Sequence, residues 1–204
     1  MKHLLLIAIA ACSSSKPVKE DAVVVQPTAV EKATPADAGI VDAVVDAGPG
    51  TATWTVRFSP KGGCQEEVVD FIHSAKHSVR LAAYSFTSGP ISDALAERAK
   101  NKVDVAVVLD RSAVDNGTAG ALPQGSKAQA IKDAGIPVWI DRKHAIMHDK
   151  FVVVDDKAFE TGSFNYTQQA QTSNAENCFV YHNGDAAKAY AANWLLHQQH
   201  SDKF

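Results

Sequence analysis

His148-Asp149-Lys150 opens an apolar run, Phe151 to Val154, that ends on Asp155, and Gly162-Ser163-Phe164-Asn165 follows within the next turn. If the run is a strand, its period of two puts His148 and Lys150 on one face with Val152 and Val154, while Asp149, Phe151, Val153 and Asp155 point the other way. A histidine and a lysine that reach the same bound group suit displacement at phosphorus. Lysine neutralises the phosphoryl oxygens, Ser163 and Asn165 can donate hydrogen bonds to them, and imidazole can attack phosphorus to give a phosphohistidine that water later cleaves. Asp155, on the opposite face, is expected to anchor a neighbouring loop or basic side chain from behind.

The departing alkoxide still needs a proton, and one histidine cannot be nucleophile and acid in the same step. His144, four residues upstream, falls outside the strand face, so the acid is expected to be His148 of a second copy related by a two-fold axis. This reading requires a homodimer with the active site at the interface. The nucleophilic ring must also be held by a carboxylate on its other nitrogen. Glu176 and Glu160 are both candidates from their positions alone.

These residues need a scaffold. Trp54 to Phe58 alternates as a strand, Ser59-Pro60-Lys61-Gly62-Gly63 turns the chain, and a helix is predicted from Cys64 to about Ala75 with Val68, Val69, Phe71 and Ile72 buried. Val79 to Tyr84 reads as a strand, Ile91 to Arg98 as a helix begun by Ser88-Gly89-Pro90, and Val103 to Leu109 as an inner strand covered on both faces. A long loop from Asp110 to Ser126 leads to a helix over Lys127 to Ala134 and a short strand over Val138 to Ile140. Phe151 to Val154 and Ala158 to Thr161 pair through Asp155-Asp156-Lys157, a short helical stretch reaches Gln171, and Glu176 to Tyr181 is a strand. A last helix from Asp185 to about Gln199 is expected to pack through Ala189, Tyr190, Trp194 and Leu195. Strands alternating with helices predict an α/β sandwich around a mixed sheet. Walker and dinucleotide fingerprints are absent.

The N-terminus reads differently. Met1-Lys2-His3 is a short basic start, Leu4 to Ala11 is an apolar run too short to span a bilayer, and Cys12 follows small residues. This resembles a bacterial lipoprotein signal, residues 1–11, with Cys12 lipidated; serine after the cysteine resembles the outer-membrane pattern. Residues 12–50 are interrupted by Pro17, Pro27, Pro35 and Pro49 and carry three lysines against six acids, the composition of a tether. An exported, envelope-anchored protein is the expectation, with the folded domain over 51–204.

That domain has sixteen Lys and Arg against seventeen Asp and Glu, so attraction to polyanions must come from a local patch such as Arg142-Lys143-His144. Cys64 and Cys178 remain once Cys12 is set aside, in a compartment that permits a disulfide, though spacing does not say whether they meet. Neither has zinc-site spacing, and the eight histidines look scattered rather than metal-binding, so neither metal nor cofactor is expected.

The pattern His148-x-Lys150-x4-Asp155, then Gly162-Ser163-x-Asn165, resembles the HKD signature of the phospholipase D superfamily. Val56 to Gly63 and Ala83 to Ile91 are similar to the small bacterial Nuc-type endonucleases of that superfamily, and the resemblance runs from about Trp54 to Trp194. It implies an α-β-α sandwich with one HKD motif per chain and a metal-independent dimeric nuclease acting on DNA and RNA. It also implies His148 as nucleophile, Lys150 and Asn165 as phosphate ligands, and Glu176 as the carboxylate holding His148.

The nuclease reading expects Lys61, Arg142 and Lys143 on flanking phosphates and Tyr84, Phe86 or Phe164 stacked on bases. An alternative is a phospholipase D acting on phospholipid headgroups, which expects an apolar rim for acyl chains, for which the Ala113 to Leu122 loop is the candidate. A third is a tethered, non-catalytic binding module, which the intact set of motif residues disfavours.

Overall fold

A computed structural model describes residues 53–118 and 121–204. The predicted signal, Cys12 and the whole predicted tether, residues 12–50, lie outside them. The described chain runs β1 (Thr53–Ser59), α1 (Cys64–His73), β2 (Ser78–Ala83), α2 (Gly89–Lys100), β3 (Asp104–Asp110), a 3-10 turn (Arg111–Ala113) and α3 (Ala128–Asp133). It continues through β4 (Val138–Asp141), β5 (Lys150–Val154), β6 (Ala158–Gly162), α4 (Gln168–Thr172), β7 (Glu176–His182), α5 (Gly184–His200) and β8 (Asp202–Lys203).

All eight strands form one mixed sheet in the order β1-β7-β6-β5-β2-β3-β4-β8. The parallel ladders join β2 to β3 and β3 to β4, each through a crossover helix; β5, β6, β7 and β1 are added antiparallel. Strand alternation decides which residues face which layer. Val79, Leu81 and Ala83 of β2, Val105, Val107 and Leu109 of β3, and Val152 and Val154 of β5 share one core with Val68, Ile72, Ile91 and Leu95 from α1 and α2. Ala82, Ala106, Val108, Phe151 and Val153, on the opposite face, pack with Ala187 and Trp194 of α5. The result is an α-β-α sandwich, as the element order predicts.

Local signals account for the helix starts. Ser88 caps α2 by accepting the Ile91 N–H, with Pro90 in the first turn, and Thr167 and Asn183 cap α4 and α5 in the same way. Trp194 fastens α5 to the sheet: its indole N–H donates to the Leu81 carbonyl at 2.9 Å, and its ring meets Trp139 edge-on at 5.9 Å. Truncating so buried a tryptophan costs about 3–5 kcal/mol.

The face of α5 differs from the expectation. Tyr190 and Trp194 do pack inward, but Ala189 and Leu195 are exposed, and Ala187 and Ala191 take their places. Apolar residues surround this helix on every side, so composition alone could not choose its buried stripe. β8, two charged residues hydrogen-bonded to the backbone of β4, is an addition that no sequence pattern marks.

Candidate active site

β5 pairs with β2 in the register Lys150 to Ala83, which brings the start of β5 to the carboxyl end of β2. Ligand sites in open α/β sheets characteristically form at this end of the parallel strands. His148 lies just before β5 and is exposed, whereas Lys150 is only 7 % exposed. The Lys150 ammonium donates to the His148 carbonyl oxygen at 2.7 Å, so the two motif residues are locked side by side. Tyr84, one residue past β2, packs against both: its ring centroid lies 4.7 Å from that of His148 and 5.4 Å from the Lys150 ammonium. Its N–H donates to the Asp149 carbonyl at 3.0 Å, which aligns the backbone of the two segments.

Burial favours the neutral amine and lowers the Lys150 pKa, while the negative charges of Asp149 and Glu176 oppose that fall. The site therefore holds a buried amine whose charged form an anionic ligand would favour, with Glu176 close enough for its charge to be felt.

Asp155 sits behind, as its strand parity requires. Its carboxylate accepts the backbone N–H groups of Lys76, His77 and Ser78 at 2.9, 2.7 and 2.8 Å, tying the turn before β2 to the end of β5. Burial opposes its ionisation, yet these three donors prevail and hold its pKa below the ordinary carboxylate value. Asp155 is in the left-handed region at φ 54°, a conformation that aspartate tolerates better than most residues.

The segment after β6 carries the remaining residues. Gly162 is required by close approach: a Cβ there would stand 2.2 Å from the Asn177 carbonyl oxygen on β7. Ser163 donates to Glu176 Oε2 at 2.6 Å and accepts the Asn177 N–H at 3.1 Å, while the Asn174 amide donates to Glu176 Oε1 at 3.0 Å. Glu176 is thereby held by Ser163 and Asn174, and no hydrogen bond joins it to the His148 ring. Ser163 is committed to this network rather than pointing an idle hydroxyl at a ligand. The Asn165 side-chain oxygen is buried without a hydrogen-bond partner among the described residues.

Glu160 is excluded as the holder of His148. It is 1 % exposed and accepts the Tyr166 hydroxyl at 2.7 Å, and burial pushes its pKa up to about 8. The Tyr166 backbone carbonyl accepts the N–H groups of Thr87 and Ser88 at 2.9 Å, tying the loop bearing Ser163 and Asn165 to the loop after Tyr84. Tyr166 carries no sequence signal beyond its place immediately after Asn165.

Across 68–195, the chain matches the family model described as "Cardiolipin synthase, PLD-like domain". The chain belongs to the phospholipase D superfamily. It is 35% identical over 138 residues to a phospholipase D of Rickettsia bellii, a match covering 68% of this chain and 65% of that protein. A mitochondrial cardiolipin hydrolase of Chlamydomonas reinhardtii is 34% identical over 112 residues, covering 55% of this chain and 47% of the relative. Among solved structures, the phospholipase D family member Nuc from Salmonella typhimurium superposes with a TM-score of 0.68 at 36% identity, covering 76% of this chain and 99% of Nuc. NucT from Helicobacter pylori shares the fold, with a TM-score of 0.65 at 20% identity, over 76% of this chain and all (100%) of NucT.

Several expectations for this phospholipase D-like domain are corrected. Phe86 and Phe164 are 1 % and 0 % exposed, so they are core and not stacking platforms. Arg142 is paired with Asp115 and lies 3.5 Å from Asp202, which compensates much of the charge expected for a phosphate patch. Ala113 and Val114, two of the apolar residues expected in a rim from the Ala113 to Leu122 loop, are buried. Cys64 and Cys178 do meet, both fully buried, but as free thiols, with the Cys178 thiol 3.8 Å from the Cys64 carbonyl oxygen. The histidines are not all scattered: His144, His197 and His200 converge on Asp141, a cluster whose spacings Asp-x2-His and His-x2-His were legible in the sequence.

Proposed function

We propose that this protein hydrolyses phosphodiesters through a phosphohistidine on His148, that two copies complete the site, and that its substrate is DNA or RNA. The observation that carries the reading is the locked pair of an exposed His148 and a buried Lys150, 2.7 Å from ammonium to carbonyl. In the first step the His148 imidazole nitrogen forms a bond to phosphorus as the P–O bond to the leaving alkoxide breaks. Lys150 and Asn165 stabilise the charge on the non-bridging oxygens, and the second copy's His148 gives the alkoxide its proton. In the second step the same ring, now neutral, takes a proton from water; the hydroxide adds to phosphorus and the P–N bond breaks, releasing the phosphate ester and restoring His148. Glu176, held by Ser163 and Asn174, supplies negative charge that favours the cationic forms of the site.

The dimer is supported by what surrounds His148 within one copy. Among the described residues its ring meets Tyr84 and no acid, and Ile146, two residues earlier, is 54% exposed. A nucleophile that faces no acid within its own copy suits a site that a second copy completes.

A polynucleotide suits the surroundings better than a lipid. The open cleft beside Ser163 and Glu176 is lined also by Ser59, Asn177, Ala175 and Phe58, polar and apolar groups in similar measure, with no continuous apolar surface to receive acyl chains. Lys61 and Lys143 are exposed and able to meet flanking phosphates. The second reading, a phospholipase D acting on phospholipid headgroups, is favoured by the names of the relatives, phospholipase D and cardiolipin hydrolase; this chain spans about 65% of the length of the former. A lipidated Cys12 would place either activity at the cell envelope, and labelling with a radioactive fatty acid, lost in Cys12→Ser, is the expected result.

Supplying plasmid DNA, RNA and phospholipid vesicles side by side, without added divalent ions, tests the substrate. Cleavage of nucleic acid with intact lipid is expected. Phospholipid turnover with intact nucleic acid would overturn the assignment.

A further inference from the structure

We propose that Asp141, His144, His197 and His200 form a binding site for a transition-metal dication of the zinc class, separate from the phosphodiesterase chemistry and serving to brace it. Asp141 ends β4, His144 lies in the loop that leads into His148, and His197 and His200 belong to the last turn of α5. The four side chains offer three ring nitrogens and one carboxylate oxygen, all within 4.8 Å of one another.

Hydrogen bonding alone accounts poorly for the arrangement. Asp141 is fully buried, and its Oδ1 already accepts the N–H groups of Lys143 and His144 at 2.9 and 3.1 Å. Its Oδ2 is then faced by His144 Nδ1 at 2.8 Å, His197 Nδ1 at 3.0 Å and His200 Nε2 at 3.0 Å. Five donors would converge on a carboxylate with about four lone-pair sites. Three of them would be ring N–H groups of imidazoles packed tilted or edge-on, with centroids 5.1 to 5.4 Å apart, all aimed at one oxygen. A dication at the centre removes the conflict, because neutral imidazoles then present lone pairs to the metal instead of protons to one oxygen. Tetrahedral zinc with bonds of about 2.0–2.1 Å separates its ligands by roughly 3.3 Å, so the three Asp141–histidine distances would open by a few tenths of an ångström while the ring nitrogens, at most 4.8 Å apart, settle to the same spacing.

A further contact selects the tautomer that binding needs. His197 Nε2 lies 3.1 Å from Asp149 Oδ2, which also accepts the Asn193 amide at 3.3 Å. A proton on Nε2, donated to Asp149, leaves Nδ1 bare and aimed at the cluster. This is the carboxylate–histidine arrangement that orients metal ligands. Three imidazoles and one carboxylate match zinc or cobalt and not magnesium or calcium, which require oxygen donors. With all four positions taken by protein, the site is of the closed, structural type. It would clamp the end of α5 to β4 and to the loop entering His148, while Asp149 connects it to the catalytic strand.

The test uses the full chain without a polyhistidine tag, stripped by chelator and then given Zn2+ or Co2+. One zinc per chain after dialysis, the visible absorption of tetrahedral Co2+, and a rise in Tm with Zn2+ but not Mg2+ are expected. His200→Gln and His197→Gln should each abolish the cobalt spectrum and the Tm rise, Asp149→Asn should weaken zinc roughly 10-fold or more, and His77→Gln should change none of these. Should the stripped chain retain no zinc and show no Tm response, or should the two cluster variants bind as tightly as the parent while circular dichroism reports them folded, the site is only a hydrogen-bonded cluster and the proposal fails.

Discussion

Ser163 and Glu176 are joined by a 2.6 Å hydrogen bond from hydroxyl to carboxylate, across the β6–β7 junction and beside Lys150. The bond turns two motif residues into one unit: the serine fixes the rotamer of the acid whose charge supports the buried lysine. Ser163→Ala should therefore lower kcat by about 10-fold or more through a displaced carboxylate, and Glu176→Gln should do the same. Combined, the two losses should fall well short of their product, with a coupling of about 1–2 kcal/mol, as for neighbours that share a partner. Steady-state kinetics of the four proteins measures it; strict multiplicativity would show that the two residues act separately.

Asp155 contributes stability with a defined pH dependence. Its folded pKa is depressed by three backbone donors, so the stabilisation is fully present above the ordinary carboxylate range near pH 4 and is lost as pH falls through the lower folded value. Asp155→Asn should lower stability by about 1–3 kcal/mol at neutral pH. The difference from the parent should shrink as the acid transition is approached, which urea titrations at several pH values would report.

Glu160 has the opposite sign. Burial raises its folded pKa to about 8, so the folded protein keeps a proton that the unfolded chain releases near pH 4.5. Stability should fall with rising pH across that window, by at most about 1.4 kcal/mol per pH unit from this group. Glu160→Gln keeps an acceptor for the Tyr166 hydroxyl and should flatten the slope, gaining most near pH 8. Thermal melts from pH 5 to 8 decide it; an unchanged slope would contradict the assignment.

Most of the fold was legible because periodicity and punctuation agreed. Val152 and Val154 against Phe151 and Val153, Ser88-Gly89-Pro90 before α2, and the Asp155-Asp156-Lys157 turn each carry a local signal that the structure follows. β8 was hidden because Asp202 and Lys203 contribute only backbone to β4, and the phase of α5 because alanines and aromatics surround it.

The site divides in the same way. His148, Lys150, Asp155, Ser163 and Asn165 lie within eighteen positions, so strand parity could place them relative to one another. The partners that hold them come from further along the chain. Tyr84 reaches His148 through the β2–β5 register, and Tyr166 reaches Thr87 and Ser88 from more than seventy residues away. His197 and His200 meet Asp141 from more than fifty residues away. Contacts at such separations are fixed by topology, and one sequence without its fold does not display them.

The central claim is a bond between a His148 ring nitrogen and phosphorus. Rapid acid-free quenching of the enzyme with a phosphate-labelled oligonucleotide, followed by peptide mapping, tests it most directly. The account predicts a labelled, acid-labile adduct on His148 that forms and decays at rates competent for turnover and is missing from a folded, dimeric His148→Ala protein. Full-speed cleavage with no adduct at any time, or with activity retained in His148→Ala, would contradict it.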